Sequence, residues 1–410
     1  DLNCYGQKQI FTPNLDRLAR EGTRFTQHYA GDTVCAPSRC SLMTGKHTGH
    51  TLIRGNRHPQ VPLRPEDTTV AEVLKGAGYR TAIYGKWGLA QACTSGVPNK
   101  KGFADWFGYL DQQHAHNYYP DVLWQNENEF FLRGNFGGMK RQYSPDLFTE
   151  HAIEFIRKKS NQPFFLYLAD ITPHANDELG AATGNGLEVP SDSPYSARDW
   201  PQVEKNFAAM VTRMDTHVGS VLEALRDSGQ EENTLVVFTS DNGPHAEGGH
   251  KPAFFDSSGP LRGIKRDLYE GGIREPTIAR WPGRVPAGAV SGQVWAFWDF
   301  LPTAAELAGV ALPRGIDGIS MVDALLGRPQ KNHEYLYWEF HERGFHQAVR
   351  MGDWKAMRSG LAGNMELYDL RQDLGERNNV AAAHPDIVNR IAAIMKMAHT
   401  KSDYWPVKGE

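Results

Sequence analysis

The chain has no apolar run approaching the roughly 18 residues that a membrane-spanning helix needs, so no membrane span is expected. It has no basic tail or basic block, and a formal net charge of −4 is close to balance, which excludes a nucleic-acid binder that must neutralise many phosphates. Cysteine is scarce. Cys4, Cys35, Cys40 and Cys93 are too few for a disulfide scaffold in 410 residues, and no CxxC spacing offers a zinc site. No secretory signal opens the chain, and its first residue is Asp1 rather than Met, so a processed or trimmed N-terminus is expected. No internal repeat or low-complexity tract is present.

Glycine and proline are abundant, 41 and 24, and they punctuate short apolar runs instead of forming a linker. The runs follow one grammar. Val70, Val73 and Leu74 sit at helical spacing before Gly76 and Gly78, and the strand Arg80 to Trp87 follows. A helix over Pro145 to Lys159 precedes the strand Phe164 to Ala169, and a helix carrying Phe207, Met210, Met214, Val218, Leu222 and Leu225 precedes the strand Thr234 to Thr239. Unalternating apolar strands between amphipathic helices predict an α/β fold: a large, mostly parallel sheet sandwiched by helices. After about residue 325 the pattern changes to strands at Glu334 to Phe340 and Gln347 to Arg358, the latter turning at Gly352-Asp353, with a closing helix over Pro385 to His399. Two units are expected: 1–325 as the catalytic α/β domain and 326–410 as a small antiparallel sheet with one helix.

Polar clusters lie just past three strand ends, at Gly85-Lys86, Asp170 to His174 and Ser240 to Gly243. Open α/β sheets bind ligands beyond the carboxyl ends of their strands, so these loops are expected to share a site. The densest chemistry is Val34-Cys35-Ala36-Pro37-Ser38-Arg39-Cys40-Ser41-Leu42-Met43-Thr44-Gly45. Pro37 suits a first helical turn, which sets Cys35 by backbone N–H groups that favour an anion, and Arg39 returns to the same face. A P-loop is excluded, because Gly45-Lys46 is followed by His47 and Cys40 stands where glycine is required.

The Cys35 string resembles the sulfatase signature at every defining position, and the remaining motifs follow in family order along essentially the whole chain. The resemblance implies that Cys35 is oxidised by a formylglycine-generating maturation enzyme to formylglycine (3-oxoalanine). One hydroxyl of the hydrated aldehyde attacks sulfur as the ester oxygen leaves, giving a covalent sulfo-enzyme. The second hydroxyl then loses its proton and sulfate is expelled, restoring the aldehyde. Lys86 resembles the lysine that contacts sulfate, Lys265 a second one, and His174 the histidine on the leaving-group side. Asp241, Asn242 and the modified Cys35 resemble the ligands of Ca²⁺, with Mg²⁺ as a substitute. Leu367 to Leu370 looks like the family's C-terminal subdomain.

Two positions depart from the pattern. Gly88 stands where a histidine is usual, and His47, His50, His114, His116, His245 and His250 are candidates to replace it. The paired metal aspartates that the family places ahead of the segment resembling Asp1 to Gly6 are not in the sequence. The expectation is therefore a natural protein extending upstream of Asp1, and a metal site incomplete unless Asp32 or Asp170 completes it.

Ten tryptophans and the segment His47 to Arg57 suit a sulfated carbohydrate, with His47, His50, Arg54, Arg57 and His245 as candidate substrate contacts. Alternatives are a phosphoester or phosphonate hydrolase of the same fold, which would use the same cationic cradle, and a catalytically silent sulfated-glycan binder. Periplasmic or secreted localisation is expected.

Overall fold

The computed structural model describes residues 1–410. Thr69 begins the helix Val70–Gly76: its hydroxyl accepts the N–H of Glu72 at 3.2 Å, and the Glu72 carboxylate accepts the N–H of Thr69 at 2.8 Å. Such reciprocal capping contributes about 1 kcal/mol. The strand Arg80–Lys86 follows. Its Ala82 and Tyr84 join a core with Phe107, Tyr109 and Phe148, and its Ile83 joins another with Val70, Phe103 and Trp106. Successive strand side chains point to opposite faces, so this sheet is buried on both sides.

Arg80–Lys86 runs parallel to Asp105–Tyr109 on one side and Phe164–Ala169 on the other, and Val122–Gln125 and Asn128–Phe131 extend the sheet antiparallel. A second five-stranded sheet is built on Thr23–Tyr29, which is parallel to Ala289–Ser291 and Trp295–Ala296 and antiparallel to Arg274–Arg280. Val236–Phe238 pairs with Arg274–Arg280 and closes that sheet. The α/β layering is as expected, with the parallel pairs divided between two mixed sheets. Phe164–Ala169 and Val236–Phe238 end their sheets, each paired on one side only. The predicted Thr234 to Thr239 strand keeps only its centre. The Thr234 hydroxyl bonds the Gln230 carbonyl and the Thr239 hydroxyl bonds Thr277, contacts that draw both ends off the ladder.

Gly85 is a point of close approach. A Cβ there would lie 2.0 Å from the Ala169 carbonyl oxygen, and its φ of 115° disfavours any side chain. The register Gly85↔Ala169 thereby sets Lys86 and the Asp170 loop at one end of the sheet.

Toward the C-terminus, Leu336–Phe340, His346–Met351, Trp354–Ser359 and Met365–Asp369 form an antiparallel sheet in chain order. The helix Pro385–Ala398 covers one face through Ile391, Met395 and Ala398, while Trp338, Phe340 and Ala348 on the other pack with Tyr29, Val34 and Trp298. No helix is long and apolar enough to cross a membrane.

Candidate active site

Cys35 opens the helix Cys35–Thr44, which is buried at every position except Leu42. A buried helix this polar needs partners for its side chains. Ser38 Oγ accepts the N–H of Gly31 at 3.0 Å, Ser41 donates to the Lys46 carbonyl at 2.6 Å, and Thr44 donates to the Cys40 carbonyl at 2.7 Å. Arg39 donates to Asp241 at 2.8 Å and to the Lys86 carbonyl. Gly45, in the left-handed region at φ 69°, ends the helix. The signature therefore holds the helix in place as well as carrying the thiol.

Around Cys35 the structure brings together Arg39, Lys86, Lys265, His174, Asp241 and Asn242. Asn242 Oδ1 lies 3.7 Å from Cys35 Sγ. Lys86, from its strand end, is 3% exposed, and burial holds its ammonium below the ordinary value with Cys35 opposing. Burial opposes ionisation of Asp241, yet Arg39, Lys86 and Lys265 hold its carboxyl below the usual range. Three cations thus face one carboxylate, and the pocket floor suits an anion.

Lys265 Nζ donates to His174 Nε2 at 3.0 Å and to Glu247 at 2.7 Å. His174 Nδ1 bonds the Ala175 carbonyl at 2.7 Å, which puts the ring proton on Nδ1 and leaves Nε2 as an acceptor. Burial, then Lys265 and Lys86, holds His174 well below the ordinary histidine value. The pair therefore shares one proton, resident on Lys265.

Of the predicted substrate contacts, Arg54, His47 and His50 are held by partners of their own away from Cys35. Arg54 is 3% exposed and held by Glu339 at 3.1 Å, the Thr400 carbonyl at 2.7 Å and the Gly49 carbonyl at 2.9 Å. A buried guanidinium needs an anion, and Glu339 supplies it. Arg57 lies at the surface on the Tyr404 carbonyl. His50 bonds Asp317 at 2.8 Å, and His47 stacks on His50 beyond the far end of the Cys35 helix. His245 stands behind His174, donating from Nε2 to the Pro173 carbonyl at 2.8 Å and accepting the Glu247 N–H at 3.1 Å, so it braces the loops instead of meeting a ligand. Arg54→Ala is accordingly expected to lower unfolding free energy by about 3 kcal/mol, through the buried charge left on Glu339, without altering choice among sugars. Urea denaturation and a substrate panel check both halves.

At Gly88, with φ 76°, a Cβ would lie 2.3 Å from Gln112 Nε2, so the Gln112 amide fills that place. Its Oε1 is buried without a partner. Among the histidines considered there, His114 packs edge-on to Tyr109, His116 stacks on His174, and His250 bonds Glu204 at 2.6 Å. Gln112, Glu247, Arg266 and Glu342 carried no local signal in the sequence, and Asn56 was passed over within the segment His47 to Arg57.

For a hard dication, which takes six to eight oxygens, Asp241 and Asn242 beside Cys35 are donors of the right kind. Asp170 is engaged through Oδ1, which accepts the Thr172 N–H at 3.1 Å and hydroxyl at 2.6 Å, whereas Asp32 accepts the Thr33 N–H at 2.6 Å through Oδ1 and keeps Oδ2 buried without a partner. His47, His50 and Asp317 bring ligand atoms within 4.8 Å of one another. His47 Nδ1, however, accepts the Gly49 N–H at 3.2 Å, so its Nε2 keeps the proton that a metal would have to displace.

Buried histidines set the acid limit of stability. Burial pushes His28 down to about 3, and His47 and His245 down to about 4. The unfolded chain takes up those protons near pH 6.5, so this stability is present above that pH and lost as pH falls, about 2 kcal/mol per histidine by pH 5. His217 has the opposite sign. Burial opposes its charge, but Asp146 and Asp170 raise it to about 9, so its contribution is full below pH 6.5 and fades toward pH 9. Urea unfolding at stepped pH is expected to show maximal stability at about pH 7 and a steeper fall on the acid side.

Residues 1–310 match the family model described as Sulfatase, and residues 263–401 match that of the N-sulphoglucosamine sulphohydrolase C-terminal region. N-acetylgalactosamine-6-sulfatase of Canis lupus familiaris is 32% identical over 391 residues, covering 87% of this chain and 68% of the relative. Arylsulfatase G of Mus musculus is 34% identical over 413 residues, covering 87% of this chain and 73% of the relative. The solved structure of Ps i-CgsB in complex with k-i-k-neocarrahexaose superposes with a TM-score of 0.81 at 28% identity, covering 100% of this chain and 92% of that one.

Proposed function

The chain belongs to the sulfatase family, a family of sulfuric ester hydrolases, and from that premise we propose that it hydrolyses the sulfate ester of a sulfated carbohydrate at the pocket around Cys35. The observation that carries the reading is the cationic floor: Arg39, Lys86 and Lys265 gathered on a helix N-terminus that begins at Cys35. Converted to formylglycine by a maturation enzyme, residue 35 supplies a hydrated aldehyde whose hydroxyl is the nucleophile. Arg39, Lys86 and Lys265 compensate charge on the sulfuryl oxygens. His174, hydrogen-bonded to Lys265 at Nε2, acts with it as the proton source for the leaving oxygen, and the pair recovers that proton from solvent. Asp241 and Asn242 would hold Ca²⁺, or Mg²⁺ in its place, which when bound would offset sulfate charge. Residues 1–325 act as the catalytic unit with 326–410 as its subdomain, in a periplasmic or secreted setting. The test is sulfate release from a panel of sulfated mono- and oligosaccharides by protein co-expressed with a maturation enzyme. Release from at least one is expected; release from none, with conversion of Cys35 verified, overturns the reading.

A further inference from the structure

The pocket changes sign from floor to rim. Outside the three cations lie Glu247, Glu342, Asp177 and Glu178, with the guanidinium of Arg266 between the first two. Arg266 is a non-glycine residue in the left-handed region, at φ 79°, where side chains are disfavoured. Its N–H donates to the Thr33 carbonyl at 3.1 Å, two residues before Cys35. Residues held this way cluster where a ligand is gripped. The guanidinium sits between Glu247 and Glu342, with Nε 3.6 Å from the latter, and its side chain is 24% exposed.

Glu342 arrives from the C-terminal sheet, in the turn between Leu336–Phe340 and His346–Met351. Its Oε1 accepts the Asn56 N–H at 2.8 Å, and Asn56 Oδ1 accepts the Ala36 N–H at 3.0 Å, so the turn is tied to the first residues of the Cys35 helix. On the opposite flank His116 stacks on His174 at 5.1 Å and faces Glu178 at 3.1 Å and Asp177 at 4.0 Å. Carboxylates as shielded as those of Glu247 and Glu342, 12% and 18% exposed, accept hydroxyl protons well and repel anions, because solvent screening is reduced there. One guanidinium already flanked by two carboxylates offers no net charge for a second anion.

We infer that the rim selects sugars whose positions neighbouring the cleaved sulfate carry free hydroxyls, and disfavours a second sulfate or a carboxylate there. Arg266 donates to one such hydroxyl and Glu342 accepts from its neighbour. The inference rests on the sulfatase reading, since the floor must take the ester sulfate.

Isothermal calorimetry on the Cys35→Ala protein, which binds without turnover, tests it with inorganic sulfate, N-acetylgalactosamine 4-sulfate, the 6-sulfate and the 4,6-disulfate. The disulfate is expected to bind at least ten-fold more weakly than the better monosulfate, with the gap narrowing at high salt. Glu342→Gln, which keeps an oxygen acceptor for Asn56, should shrink the gap to about three-fold or less. A disulfate that binds as tightly as the monosulfates, or a gap unmoved by Glu342→Gln, overturns the inference. Binding of sulfate but of no sugar also overturns it, while failure to bind even sulfate counts against the sulfatase reading itself.

Discussion

Cys35→Ala is expected to abolish sulfate release from every substrate while leaving the fold in place. The two halves follow from different facts. Chemically, residue 35 is the proposed nucleophile precursor on the cationic floor, and in that reading no nucleophile remains without the aldehyde. Structurally, the contacts that hold its helix belong to Ser38, Arg39, Ser41 and Thr44. The one polar partner of Sγ is Asn242 at 3.7 Å. Loss of a single buried sulfur should cost about 1 kcal/mol. Cys40, equally buried but packed in an apolar core, is the internal control. Cys40→Ala should lower stability and spare turnover. Mass spectrometry of mature protein should find an aldehyde at position 35 and an unchanged thiol at position 40. Turnover by Cys35→Ala comparable to the parent would refute the assignment.

Lys265→Ala should reduce kcat by about 10² to 10⁴, the range for deleting one preorganised charge from a water-poor site. The loss should be similar for sugar and aryl sulfates, because the proposed contact is to sulfate. His174→Ala should discriminate: a leaving group that departs without protonation depends on it less. Glu247→Gln separates position from charge. Burial opposes the Lys265 charge, while Cys35 and Glu247 raise its pKa above the ordinary lysine value. Without the carboxylate that value falls, so the basic limb of the kcat profile should move to lower pH with KM little changed. An unshifted profile in Glu247→Gln would show that Lys265 keeps its proton without help.

The candidate site was legible wherever its chemistry is local. Cys35 to Gly45 is one helix and its cap, so spacing along the chain is spacing in space. Lys86 and the loop to His174 follow strands whose register places their ends together, and apolar runs reveal such strands. Arg54 misled because its partner Glu339 is 285 residues away. No local pattern distinguishes a guanidinium facing substrate from one neutralised inside. His47 and His50 misled for the same reason, through Asp317. Glu342 and Gln112 were invisible because a carboxylate in a turn and an amide after a strand are ordinary surface residues until the fold turns them inward.

By itself the sequence determined most of the helices and strands, the layered α/β class and the motif on which the proposed nucleophile precursor rests, because side-chain periodicity, capping and a contiguous motif act over a few residues. The tertiary structure alone decided how the strands divide between two sheets, which charges are buried with partners and which face the pocket, and that Gln112 fills the place at Gly88. Those outcomes depend on desolvation and Coulomb terms between groups far apart in the chain, and they are defined only once packing has set the distances.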